Sequence, residues 1–367
     1  MLQNHRTPRS VPTLLALFAA ASVTACKAPQ AFGERNAIIV RADERVWSQV
    51  DSAFHRSVER TYYTSRPERI FNVTFVAADD TLWNEFRQFK QVVIIGRPDD
   101  RDVGRLADRA EAQGTTPPDI FQLHDVWARG QTVTVMLVAA DAPAAGVTEL
   151  LPELYRTLVT QYADWVRARM YASGVNDSVE SVLSTFGFSL QMPNVYTFGR
   201  EDSVFRFKSA YPDQGSLLRS VLITWESDTA GGAGAEPPVG PDRLLQWRRT
   251  VARRFYDPKQ DVLEQGARFD TVQVNDGRAE EFRGVWQDES DFPAAGPFIA
   301  RAVACPDQDR VYYMDAWVYA PGTDKYPYVL QLQVLLNSFR CSEEQPVKIG
   351  GLAPTGHLPV SAPIARP

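Results

Sequence analysis

The sequence predicts an α+β fold: two α/β halves built mainly from antiparallel sheets flanked by helices, with a duplicated module as one possible arrangement. Three observations support this. Segments of helical period alternate with strand-like runs along the whole chain. After Asn176 several strand pairs are joined by short turns, which suits antiparallel sheets. The 367 residues, 44% of them hydrophobic, are enough to fill two cores.

The first half is expected over 36–175. Asn36 to Val40 ("NAIIV") reads as a buried strand. Asp43 to Glu59 reads as a helix, with Val46, Trp47, Val50, Phe54 and Val58 on one face and Asp43 as cap. Arg69 to Ala77 alternates like a half-buried strand, and "DTLWNEFRQFK" is a short helix. Gln91 to Gly96 and Thr132 to Ala139 are apolar runs of strand length. Asp99 to Gln113 is a polar helix, and Gly146 to Tyr171 a long one carrying Leu150, Leu154, Leu158, Tyr162 and Trp165.

The second half is expected over 176–345. Asn176 begins a helix that ends near Gly187, and Leu217 to Ser227 is a strong strand. A Gly/Pro/Ala-rich loop separates it from a basic amphipathic helix, Arg243 to Tyr256. Strands follow at Ala267–Val274, Ala279–Gln287, Pro297–Ala304 and Val311–Tyr319, then a helix from Tyr326 to Phe339. The Pro-rich tail, 346–367, is expected to be disordered. A Trp-bearing segment, a strand and a helix follow one another in both halves (Trp127, Trp286), which is the ground for considering duplication.

The N-terminus carries an address. Arg6 and Arg9 precede a mostly apolar run, Val11 to Ala21, shorter than the ~20 residues of a spanning helix. Residues 1–25 read as a signal peptide and 26–35 as a tether. Val23-Thr24-Ala25-Cys26 resembles a bacterial lipobox, which implies a diacylglyceryl group on Cys26 as mature residue one. Ordinary cleavage beside an unmodified thiol is the other reading. Lys27 is not the aspartate that retains some lipoproteins in the inner membrane, so an outer-membrane site facing the periplasm is expected. Losing Arg6 and Arg9 takes the formal charge from −6 to −8, which argues against nucleic acid and against electrostatic binding to an anionic membrane. Cys305 and Cys341 are then an even pair in an oxidising compartment; a disulfide and two free thiols are both open. The chain-entropy model gives such a bridge about 4 kcal/mol.

Motifs of catalysis are scarce. The sequence has no HExxH, GxSxG, Walker loop or CxxC. No cofactor and no metal site is expected. His55, His124 and His357 are too scattered for a zinc triad, and His124-Asp125 would point to opposite faces of a strand. Asp288, Glu289 and Asp291, like Asp257 to Asp261, read as solvated acidic turns. Aromatic residues crowd the late strands. On alternate positions they are core; with one face open they would form a binding cleft. The candidate cleft comprises Trp127, Arg283, Trp286, Phe298, Trp317 and Tyr319.

"FRGVWQDESDFPAAGPFIARA" and "DAWVYAPGTDKYPYVLQLQVLLNSFR", together with "DVWARGQ" and "FGFSLQMP", carry a resemblance. They are similar to the lipoprotein family of the domain of unknown function 4837, over nearly the whole mature chain. The motif positions are Asp125, Trp127, Ala128, Gln131, Phe186, Gly187, Pro193, Arg283, Gly284, Trp286, Gly296, Pro297, Phe298, Tyr319, Ala320 and Pro321. Pro293-Ala294-Ala295-Gly296 stands where the family has Met-Gly-Gly. The resemblance implies an envelope lipoprotein with no established activity. "GFSLQMPNVYTF" and "LLNSFR" also resemble PsbP-like domains, which implies an antiparallel sheet used for binding or assembly. The expected function is therefore a lipid-anchored binding or assembly module with an envelope protein partner. A ligand carrier using the aromatic cleft and a hydrolase with dispersed carboxylates are the alternatives.

Overall fold

The structure is a computed structural model that describes residues 28–111, 116–211, 217–227, 239–275, 277–291 and 293–342. Cys26, the signal segment and the tail lie outside the described residues.

The fold is α+β, and antiparallel pairing dominates. The first half is the exception. Its elements are β1 (Ala37–Ala42), α1 (Glu44–Val58), a hairpin of β2 (Thr61–Tyr63) and β3 (Pro67–Arg69), and β4 (Asn72–Ala77). Then come α2 (Trp83–Phe86), β5 (Gln91–Gly96), α3 (Arg101–Arg109), β6 (Asp119–His124), β7 (Thr132–Leu137) and α4 (Pro143–Met170). The sheet order is β4-β1-β5-β7-β6. All pairs are parallel except β6 with β7.

Parallel strands are covered on both faces, so they need apolar side chains at nearly every position. β5 (QVVIIG) and β7 (TVTVML) are buried throughout. On one face Ile38, Val40, Val93 and Met136 meet Trp47 and Phe54 of α1 and Leu154 of α4. On the other, Ile39, Val92, Ile94 and Val133 meet Val103 and Leu106 of α3. Asp43 caps α1, its carboxylate accepting from the N–H of Arg45 at 2.8 Å.

The second half holds α5 (Asp177–Ser184), β8 (Phe188–Ser189), β9 (Thr197–Glu201), β10 (Val204–Tyr211), β11 (Leu217–Ser227) and α6 (Pro241–Phe255). It continues with β12 (Gln260–Val274), β13 (Gly277–Asp288), β14 (Ala295–Cys305), β15 (Arg310–Tyr319), α7 (Tyr326–Asn337) and β16 (Arg340–Cys341). Seven strands pair in the order β12-β13-β14-β15-β11-β10-β9, all antiparallel. Helices α5 and α7 cover one face and α6 the other. Cys305 and Cys341 form a disulfide, with α-carbons 5.8 Å apart. The two sheets differ in strand order and direction, so the loose echo between the halves is not a duplicated module.

α7 joins the halves. Tyr326 and Leu330 pack into the core of α1 and α4, while Val329, Leu332 and Leu336 pack into the second core. Its N-terminus is capped from the first half: the buried Glu68 carboxylate accepts from the N–H groups of Lys325 (2.7 Å) and Tyr326 (2.9 Å). The Thr64 hydroxyl donates to the other oxygen at 2.6 Å.

Candidate binding cleft

The six residues expected to line an aromatic cleft do not meet in one. Trp127 lies in the first half, edge-on to Trp83 at 5.4 Å. Arg283 projects from β13 to the face opposite Trp286, where it pairs with buried Glu281 beside Tyr62. Trp286, Phe298 and Trp317 are buried, and with half-buried Tyr319 they belong to the core under α6. Trp286 is only 2% exposed. The reason is the period of two: alternate residues of β13, β14 and β15 face one amphipathic helix, which seals them.

These positions are structural. The Trp286 indole N–H donates to the Val318 carbonyl at 3.1 Å. A Cβ on Gly296 would lie 2.0 Å from that carbonyl oxygen, and one on Gly284 would lie 2.9 Å from the Phe298 ring. Only glycine lets the rings lie on the strands there. In "DVWARGQ" the Gln131 side chain, itself buried, accepts from the Trp127 N–H (3.0 Å) and donates to the Phe89 carbonyl (2.7 Å). This fastens a loop rather than building a reactive site.

Beneath α6 lies a closed ion pair. Arg248 and Asp315, both with fully buried side chains, sit 2.8 Å apart. The Tyr256 hydroxyl donates to Asp315 at 2.6 Å, and Arg248 donates to Gln260 at 2.7 Å while lying 4.6 Å from the Phe298 ring centre. Burial pushes the Asp315 carboxyl up, opposed by Arg248, and pushes the Tyr256 phenol well up, with Asp315 adding to the rise. Neither Arg248 nor Asp315 lines either of the clefts described below.

Among the described residues no group of His, Cys, Asp and Glu could hold a metal ion. His124 contacts the Thr132 hydroxyl at 3.3 Å, and Asp288 accepts from the Ser290 hydroxyl at 2.7 Å within its turn.

Two open clefts lie elsewhere among the described residues. One, about 710 Å³, lies at the carboxyl ends of β1 and β5, where the strand order reverses. Two of its arginines are answered, Arg41 by Asp102 at 3.1 Å and Arg97 by Asp100 at 3.2 Å; Arg45 and Arg101 line it without an ion pair among the described residues. The other, about 1110 Å³, lies between the halves, walled by α4, α7 and the chain just before β1. Here Arg35 and Arg169 lie 5.3 and 5.8 Å from the Trp165 ring centre. Trp165 and Arg169 are one turn apart on α4, so both face the cleft. Lys90, Tyr162 and Tyr328 complete the wall. Among the described residues Arg35, Lys90 and Arg169 have no carboxylate partner, and the Arg35 Nε is buried without a hydrogen bond. Burial draws the Arg35 guanidinium below its ordinary value. Of the two acidic wall residues, Asp324 is paired with Arg66 at 2.5 Å and Glu34 has no ion pair among the described residues, so the wall carries one open carboxylate beside its cations. Sequence reading missed this cluster because its members come from four separate segments; the Trp165/Arg169 spacing was the one available signal.

Fold and site together define an α+β protein with two main sheets and a cleft rich in cations at the junction of its halves. Residues 241–338, from α6 to α7, match the family model described as "Domain of unknown function (DUF4837)". The match is shorter than the resemblance read along the chain. No curated protein matches. Among solved structures, one from Bacteroides thetaiotaomicron VPI-5482 is 9% identical with a TM-score of 0.25. The alignment covers 43% of this chain and 46% of that one, so the chain spans less than half of that relative's length. The Saccharomyces cerevisiae Ran-binding protein Mog1p is 11% identical with a TM-score of 0.27, covering 42% of this chain and 90% of that one.

Proposed function

We propose that the protein is a lipid-anchored cell-envelope protein that works by binding, held through Cys26 in the outer membrane and facing the periplasm. One observation carries the binding reading: Arg35 and Arg169, without carboxylate partners, lie by Trp165 in the junction cleft, whose wall also carries Lys90. In a chain of net charge −6, a local excess of unanswered positive charge over an aromatic floor suits an acidic segment of an envelope protein partner. The carrier reading loses its support, because the aromatic cleft it needed is a filled core.

A photo-crosslinking residue at Tyr328 in intact cells tests this, with Val182 on α5 as control. The expected result is a partner adduct at position 328 that disappears in the Arg35→Glu/Arg169→Glu variant. Recovery of the monomer alone would overturn the reading.

A further inference from the structure

The stretch read as a tether does not hang free. From Ala28 onward it is bonded to the edge of the first half. The Arg129 guanidinium donates to the Ala28 carbonyl at 3.1 Å, and the Arg129 N–H to the Pro29 carbonyl at 2.8 Å. The Ala31 N–H donates to the Arg129 carbonyl at 2.9 Å, and the Lys90 N–H to the Phe32 carbonyl at 2.9 Å. One residue, Lys27, separates Cys26 from Ala28. At 3.8 Å between successive α-carbons, a lipid-bearing residue 26 stays within roughly 8 Å of that first fastened residue.

The surface at this exit is apolar. Phe32 is 46% exposed and packs on Phe89 at 4.6 Å; Phe89 stacks on Phe86 at 5.5 Å. Leu82, one turn before Phe86, is 48% exposed, and half-buried Trp83 and Trp127 continue the surface. Phe32 and Leu82 are the two most exposed large apolar residues among those described. We infer that Phe32, Leu82, Trp83 and Trp127 form a contact face that rests in the headgroup region of the bilayer, so the anchored body lies on the membrane rather than swinging above it. Trp suits that depth, having an apolar body and a polar N–H. The lipid supplies affinity and the short fastened exit fixes orientation. The contact is apolar rather than electrostatic, since the chain is net acidic.

This inference rests on lipidation of Cys26, and the test separates the two. Mature protein is purified, its N-terminal mass measured, and the lipoprotein reconstituted in phosphatidylethanolamine/phosphatidylglycerol vesicles. Leu82→Cys and Val182→Cys variants carry an environment-sensitive fluorophore, because Cys305 and Cys341 are bridged and Cys26 carries lipid. The expected result is a blue shift and quenching by brominated acyl chains at position 82, neither at 182, and both unchanged by salt. An unmodified Cys26 would overturn anchor and face together. A lipidated protein in which position 82 is as wet as 182 would overturn the face alone.

Discussion

Arg248 on Phe298 and Arg35 on Trp165 are the same kind of pair, a guanidinium near an aromatic ring, in two regions with opposite meanings. Arg248 is sealed under α6 and faces Asp315 at 2.8 Å. Arg35 borders an open cleft, with another arginine across the same indole and no carboxylate partner. A ring under an arginine therefore says little by itself. What separates a structural pair from a candidate site is whether the charge is answered and whether solvent reaches it.

That contrast can be broken experimentally. The largest effect is expected at the closed pair. Asp315→Ala leaves Arg248 buried and uncompensated, at a cost of about 3–5 kcal/mol in denaturant unfolding. Replacing both, Arg248→Met with Asp315→Leu, should return stability to that of the natural chain or above it; a loss as large as the single variant's would show the pair to be net stabilising.

High pH comes next. Burial pushes the phenols of Tyr62 and Tyr162, near the junction, up to about 12. Their folded values lie above the unfolded value near 10, so their contribution is full below about pH 10 and is lost as pH rises toward 12. Denaturation midpoints should be level up to about pH 9 and lower at about pH 11. Unchanged midpoints would contradict the burial of these rings.

A smaller effect is expected at the cap. Glu68→Ala removes the acceptor from two N–H groups of α7 and should cost about 1 kcal/mol, the usual size for a lost cap. Protease cutting near Lys325 should rise with it. The smallest effect belongs to the open cleft: Arg35→Ala and Arg169→Ala should change stability by about 0.5 kcal/mol or less while removing adducts at Tyr328. A large loss of stability there would erase the distinction between the two arginine sites.

Much of the fold was legible in the sequence. The strands at Gln91–Gly96 and Thr132–Leu137 and the helix at Glu44–Val58 fall where the periodicity puts them. The parallel pairing of the first half was also present, as unbroken apolar runs separated by helices. It was masked by the alternating strands of the second half, which set the expected sheet type for the whole chain. The candidate site was not legible. Composition marks where aromatic residues gather but not which face a helix covers, so the late cluster suggested a cleft where α6 makes a core. The junction cluster draws Arg35, Lys90, Trp165 and Tyr328 from distant positions, and only folding brings them together.

α7 has a consequence for how the molecule is made. Tyr326 and Leu330 complete a core whose other members lie between Ile38 and Val166. A chain synthesised from its N-terminus therefore holds its first half unfinished until nearly all of the second half has been made. Until then the α4 surface around Tyr162 is uncovered, and the nascent protein is open to aggregation and proteolysis. A truncation just before Tyr326 would remove the closing piece of both halves at once.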